Sequence, residues 1–270
     1  MNPFLQRVIT ALIFGVFLIA PIFIGEWTAM IILGILCALT IIEYLQLQGL
    51  TGGRLILAVV VVLFMYISLV ILAWDKGITT AIKYAIFLSL IFSLLLLIRL
   101  VGRKDPFSFT FQIVPATLYV AVPLALLFSL SVWSGEYQPW IIMVILLFVW
   151  INDVMAYLIG KNFGRNPMSK VISPNKTWEG TVAGWLSCVI AAVIFHQVWP
   201  QYSLASWITI AILISIGGTI GDLIESLFKR MRGLKDSGTF LPGHGGLLDR
   251  LDSLLFCVPF VALYFLIIGF

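Results

Sequence analysis

The sequence predicts an all-α polytopic membrane protein with about nine transmembrane helices, its N-terminus cytoplasmic and its C-terminus outside. Four observations predict it. Hydrophobic residues make up 61% of the 270 and charged residues 10%, where a soluble domain is about a quarter charged. Mean hydropathy is +1.12, too high for one water-facing core to hide the apolar surface. Apolar runs of spanning length recur between clusters of charge, glycine and proline. Finally, if the chain crosses nine times from a cytoplasmic N-terminus, fourteen of its sixteen Lys and Arg residues lie inside, leaving only Lys76 and Lys83 outside. Such a bias supports both the count and the orientation.

The first run, 8–24, follows Arg7 and looks like a signal peptide. Its exit, Gly25-Glu26-Trp27, has no small-x-small cleavage pattern, so it reads as an uncleaved first span. Runs 28–47, 55–73, 82–99 and 109–132 follow. Runs 139–160, 177–199, 205–228 and 251–269 differ in chemistry, because they flank two long polar loops, 161–176 and 229–250, and carry acids at their ends. Residues 1–138 are therefore expected to be scaffold and the contact of a homodimer, and residues 139–270 the catalytic part. Glu43 stands alone in the second run and reads as isolated, and no site residue is assigned to the N-terminal half. Cys37, Cys188 and Cys257 lie far apart in apolar runs and read as packing residues, not as ligands or disulfides. His196 reads as a packed or interfacial side chain.

The net charge of +4 and pI of about 9.0 are explained by cytoplasmic loops facing anionic lipid, so no nucleic-acid partner is expected. An acid deep in a span costs about 2.5–3.5 kcal/mol on insertion scales. Asp153, Glu179, Asp222 and Glu225 nonetheless sit in or beside spans, all toward the expected cytoplasmic ends. Asp222, Glu225, Ser226 and Lys229 share one helix face by their spacing. Asp249 and Asp252 open the last span, and Asp153 lies four residues before Tyr157 on the sixth. Oxygen ligands brought together from three helices suit a hard divalent cation whose shell a substrate phosphate completes. Asp222 and Asp249 are the first candidates for that metal, with Asp153 and Glu225 next. The alternative is a set of interfacial ion pairs.

The loops suit phosphate. Lys229, Arg230, Arg232 and Lys235 precede the turn Pro242-Gly243-His244-Gly245-Gly246, which runs into the N-terminus of the last helix. Glycines let successive backbone N–H groups face one anion, and a helix N-terminus favours negative charge. His244 is placed to donate to a phosphate or to hold the turn. In the other loop, Ser173 followed by Pro174 reads as an N-cap and first helical residue. Lys176 would then oppose the helix dipole, which an anionic ligand would explain. The pairs Gly180/Gly184 and Gly217/Gly221 read as close helix packing. Neither a Walker A sequence nor GxGxxG is present.

Taken together, Ser226-Leu-Phe-Lys229-Arg230, Lys235-Asp236-Ser237-Gly238, Leu241-Pro242-Gly243-His244-Gly245-Gly246 and Asp249-Arg250-Leu251-Asp252 resemble the signature of the phosphatidate cytidylyltransferases (CDP-diacylglycerol synthases). Gly221-Asp222 and Ser173-Pro174-Asn175-Lys176-Thr177-Trp178-Glu179-Gly180 fit the same family, and Asn152-Asp153 departs slightly from it. The resemblance implies that CTP and phosphatidic acid give CDP-diacylglycerol and pyrophosphate. It also implies Mg²⁺, with a monovalent cation such as K⁺ beside it, and metal carboxylates at Asp222 and Asp249. Lys229, Lys235 and His244 are expected to act with them. Ser173, Asn175, Lys176, Glu179, Ser226, Arg230, Asp236, Gly243, Gly245, Gly246, Arg250 and Asp252 are expected to bind substrate. A bacterial inner membrane with the site facing the cytoplasm would let CTP arrive from water and the lipid from the leaflet. Two rivals stand beside this reading. A CTP-dependent lipid kinase would release CDP. An ion-coupled transporter would place its acids near the bilayer midplane in two repeats.

Overall fold

The computed structural model describes residues 3–74, 113–169, 172–200, 202–234, 237–238, 240 and 245–268. The expected run 82–99 lies outside them. Every other expected run is helical among the described residues: α1 (Pro3–Ile24), α2 (Glu26–Leu47), α3 (Gly52–Trp74), α4 (residues 113–131), α5 (Pro139–Phe163), α6 (Trp178–Val198), α7 (Leu204–Met231) and α8 (Leu248–Ile268). Six of these, α2, α3, α5, α6, α7 and α8, are long and apolar enough to cross a membrane, and Ile13–Ile24 and Thr117–Ser131 are shorter apolar segments. The chain is an all-α membrane protein.

The helices pack in chain order, α1 on α2, α2 on α3, α3 on α4, then α5 on α6, α6 on α7 and α7 on α8; α8 joins the two series by packing on α4. The closest approaches run through small residues. A Cβ on Gly184 would come within 2.7 Å of Asn152 Oδ1 on α5, and one on Gly221 within 2.7 Å of Phe256 Cβ on α8. Glycine is what lets these backbones meet. The two GxxxG pairs thus serve different interfaces, with Gly180/Gly184 facing α5 and Gly217/Gly221 facing α8.

Helix α4 contains a π turn, Thr117–Ala121. Pro123 follows it and has no N–H to continue the regular ladder, and a wider turn absorbs the gap. The turn carries Tyr119, which packs against Tyr44 and Phe228 at ring distances of 5.7 and 6.3 Å.

The two ends of the α5–α8 group are chemically unlike. One end gathers Trp140, Trp199, Tyr202 and Trp207, with Trp140 and Trp199 stacked at 5.8 Å. There the His196 ring meets the Tyr202 carbonyl at 2.9 Å, as an interfacial His would. Amphipathic rings collect at membrane–water boundaries. The opposite end carries Lys161, Lys176, Lys229 and Arg250 around one cavity. The three cysteines are buried and free.

One local expectation is corrected. Ser173–Thr177 does not open a helix. It forms a strand, β2, antiparallel to β1 (Pro167–Ser169), with Pro167 opposite Thr177 and Ser169 opposite Ser173. Thr177 is the N-cap of α6, and its Oγ1 accepts the Gly180 N–H at 3.3 Å. The Ser-Pro pair satisfied the local rule for a helix start, but pairing across the hairpin moves the start four residues on.

Candidate active site

The cationic end holds a cavity of about 710 Å³. Helix α5 contributes Asn152, Asp153, Tyr157 and Lys161; β2 contributes Asn175, Lys176 and Thr177. Thr181 comes from α6, Thr219, Asp222 and Lys229 from α7, and Asp249, Arg250 and Asp252 from α8. Four helices and a hairpin therefore converge on one space, although their residues are spread over a hundred positions of sequence.

Three carboxylates gather at its acidic side, Asp222 and Asp252 in the wall and Glu225 buried next to them. Asp222, Glu225 and Asp252 each place an oxygen within 4.8 Å of the others. Glu225 and Asp252 are buried. Neither Glu225 oxygen has an aligned hydrogen-bond donor; its nearest cation is Lys229, 2.5 Å away. Asp252 Oδ1 accepts the Ser253 N–H at 2.7 Å, and Asp222 accepts the Ser226 hydroxyl at 3.3 Å. Lys176 forms an ion pair with Asp222. The cation that looked misplaced in a helix N-terminus lies instead at the end of a strand, and an acid of α7 balances it.

Lys229 is held between two acids. It contacts Glu225 and donates to Asp249 Oδ1 at 2.6 Å. Asp249 also accepts the Ser237 N–H at 3.1 Å and the Gly246 N–H at 2.8 Å, both on Oδ2. Asp249, expected beside Asp222 on a metal, thus faces Lys229 and the loop backbone, and the carboxylates that gather around Asp222 are Glu225 and Asp252. Asp153 opens onto the cavity and accepts from Asn152 Nδ2 at 3.4 Å.

Other expected site residues serve the walls. Glu179 accepts from Asn166 Nδ2 at 2.6 Å and from the Arg165 and Asn166 N–H groups at 3.1 and 3.2 Å. It ties the hairpin to the first turn of α6. Arg230 donates to the carbonyls of Ile172 and Leu234 at 3.4 and 3.2 Å, linking the two loops. Ser173 sits in β2. Gly245 has φ +83°, a left-handed backbone that favours glycine, and Gly246 presents its N–H to Asp249. Lys235, Asp236, Gly243 and His244 lie outside the described residues.

Sequence reasoning missed Glu43. It is 8% exposed on α2, and it accepts the Leu248 N–H at 2.8 Å and the Ser237 hydroxyl at 3.4 Å. It looked isolated because its partners stand 205 and 194 positions away. The signal was available, since an acid inside an apolar span calls for a partner.

The chain matches the sequence profile described as the cytidylyltransferase family over residues 5–268. It belongs to that family. Within it, the chain is 46% identical over 115 residues to a Staphylococcus saprophyticus protein named phosphatidate cytidylyltransferase, a match covering 42% of this chain and 44% of that one. It is 48% identical over 107 residues to the Arabidopsis thaliana protein named phosphatidate cytidylyltransferase 4, chloroplastic, covering 39% and 27%. A Staphylococcus aureus phosphatidate cytidylyltransferase is 45% identical over 115 residues. The chain thus covers less than half the length of these relatives. Membership in a cytidylyltransferase family fits a cavity built from carboxylates and lysines at helix ends.

Proposed function

We propose that this protein is a phosphatidate cytidylyltransferase that joins CTP and phosphatidic acid to give CDP-diacylglycerol and pyrophosphate in phospholipid biosynthesis. The observation that carries the reading is the convergence of Asp222, Asp252, Lys176 and Lys229 on one cavity of about 710 Å³ at the ends of membrane helices, with Glu225 buried against the two aspartates and Lys229. Its size lies within the roughly 300–1,000 Å³ range of small-molecule pockets. The names of the relatives point to the same substrates.

A phosphate oxygen of the lipid attacks the α-phosphorus of CTP. The new P–O bond forms as the α–β phosphoanhydride breaks, and pyrophosphate leaves with the bonding electron pair. The nucleophile is already ionised near neutral pH, so no general base is needed. The barrier lies in bringing two polyanions together. Lys229, fixed by Glu225 and Asp249, offers a cation that cannot swing away. Lys176 exchanges Asp222 for a phosphate when substrate enters, and Arg250 and Asn175 line the approach. Asp222, Glu225 and Asp252 fit Mg²⁺: each places a carboxylate oxygen within 4.8 Å of the others, and Glu225 and Asp252 are buried, where a hard divalent cation would offset their charge. Mg²⁺ held there, with K⁺ as the candidate monovalent cation beside it, would neutralise phosphate charge and orient the reacting oxygens.

The reading includes nine crossings, a cytoplasmic N-terminus and a site facing the cytoplasm of a bacterial inner membrane. The gathering of Lys161, Lys176, Lys229 and Arg250 at one end, with the aromatic ring cluster at the other, supports this orientation. It also includes a homodimer. The apolar outward face of α3, with Ile56, Val60, Phe64 and Ile67 exposed, is the candidate contact, and native mass spectrometry in nanodiscs reads its mass.

Incubation of purified protein with labelled CTP, phosphatidic acid and Mg²⁺ tests the activity. CDP-diacylglycerol and pyrophosphate in equal amounts are expected. Release of CDP with a phosphorylated lipid alcohol would identify the kinase instead.

A further inference from the structure

Among the described residues, the acid outside the cavity with the most unusual surroundings is Glu43. Its partners are backbone and hydroxyl groups: the three ion pairs found among the described residues use Asp222, Glu225 and Asp249. Glu43 Oε2 accepts the N–H of Leu248, the first residue of α8. A first-turn N–H has no acceptor within its own helix, and negative charge there is favoured by the helix dipole. Glu43 thus acts as a cap supplied from another helix.

The same carboxylate meets both ends of the loop that precedes α8. Ser237 donates its hydroxyl to Oε2. A Cβ on Gly238 would lie 2.6 Å from Oε1 and one on Gly246 2.7 Å from Oε2. At Gly238 the close neighbour is Glu43 alone, whereas at Gly246 the Ser237 hydroxyl stands nearer still, so the two glycines make room for the Glu43–Ser237 pair. Asp249 grips the same two ends through the Ser237 and Gly246 N–H groups and then holds Lys229. Ser237 is the shared link, its side chain on Glu43 and its backbone on Asp249.

We propose that Glu43 is a positioning residue for nucleotidyl transfer: it locks the loop ends and the start of α8, and through Asp249 it fixes Lys229 against the acidic cluster. The N-terminal half then contributes to catalysis as well as to scaffolding. This rests on the cytidylyltransferase reading above.

The test compares wild type, Glu43→Gln, Glu43→Ala and Gly238→Ala in detergent, by CDP-diacylglycerol formation and by hydrogen–deuterium exchange of the 245–250 amides. Glu43→Ala should lower kcat about 10- to 100-fold, the usual size of an outer-shell loss, with KM for CTP nearly unchanged, as expected when an interaction made only in the transition state is lost. Glu43→Gln keeps an acceptor oxygen for Leu248 and should recover most of the rate and of the amide protection. Gly238→Ala leaves Glu43 in place but pushes a methyl onto it, and should share the kcat loss. Glu43→Ala turnover within about twofold of wild type, or a KM rise with kcat intact, would overturn the proposal. If Glu43→Ala does not survive purification, Gly238→Ala decides, and normal kcat in that variant sinks the idea. A wild type that makes no CDP-diacylglycerol, yet shows Glu43-dependent amide protection, would overturn the activity and leave only a structural anchor.

Discussion

Lys229 shows how the site works at the scale of one side chain. It lies between Glu225 and Asp249, with side chains 12%, 1% and 9% exposed. Removing the cation leaves two buried acids without their partner, a change that costs about 3–5 kcal/mol in comparable buried pairs. Lys229→Met should therefore lower the thermal midpoint in detergent as well as abolish turnover. Lys229→Arg, which keeps the charge but not the compact ammonium, should keep most of the stability and lose activity. Asp222 behaves differently. It is a third exposed, with Lys176 as its ion-pair partner and the Ser226 hydroxyl as a donor, so Asp222→Asn should leave the midpoint within a few degrees of wild type and remove product formation. Near-normal turnover in Asp222→Asn would dismiss the acidic cluster as the reaction centre. Glu43 was the least legible of these residues: its surroundings are set by chain segments about two hundred positions away, which no local window contains.

Elements explain why the site has its shape. Gly184 brings α6 onto α5 and so places β2, with Lys176, over Asp222. Gly184→Ala would put a methyl 2.7 Å from Asn152 Oδ1 and 2.8 Å from its carbonyl oxygen. Overpacking of this kind costs about 1–3 kcal/mol, and the strained interface should weaken the Lys176–Asp222 pairing. A lowered midpoint together with a raised KM for CTP is the expected pair of readings. Thr177→Ala removes the α6 cap, worth about 1 kcal/mol, and should lower the midpoint slightly with little effect on kcat. Helix extents were legible in the sequence, because a span needs only an unbroken apolar run: 139–160 became Pro139–Phe163 and 205–228 became Leu204–Met231. The hairpin was not legible. Ser173-Pro174 satisfies the local rule for a helix start, and the strand depends on a partner segment, Pro167–Ser169, that has no strand signal of its own.

For the whole molecule, the residues that line the candidate site all lie after residue 139, yet α8 packs on α4 and its start is capped from α2. The division into scaffold and catalytic halves describes the sequence better than it describes the forces. The acids Asp222, Glu225 and Asp249 and their lysines were legible as a group, because charge in an apolar chain stands out. The sequence could not show which acids share a point in space, and the structure assembles Asp222 with Glu225 and Asp252. Chelation tests that grouping: EDTA should abolish CDP-diacylglycerol formation and added Mg²⁺ restore it, while Glu225→Gln should raise the Mg²⁺ concentration needed for half-maximal rate. An unchanged Mg²⁺ requirement would remove Glu225 from the metal set.

The wall of the cavity carries four carboxylates, Asp153, Asp222, Asp249 and Asp252, and four cations, Lys161, Lys176, Lys229 and Arg250. A purely basic pocket would draw a nucleoside triphosphate from a distance, and its capture rate would fall steeply with ionic strength. This one has a wall whose formal charges cancel before any metal ion enters, so the wall itself adds little long-range pull. On the proposed reading, capture of CTP turns instead on the exchange of internal pairs such as Lys176–Asp222. Stopped-flow association of a fluorescent CTP analogue with metal-free protein should accordingly vary little between low and physiological salt, and Asp153→Asn, which tips the balance to positive, should make the same rate salt-sensitive.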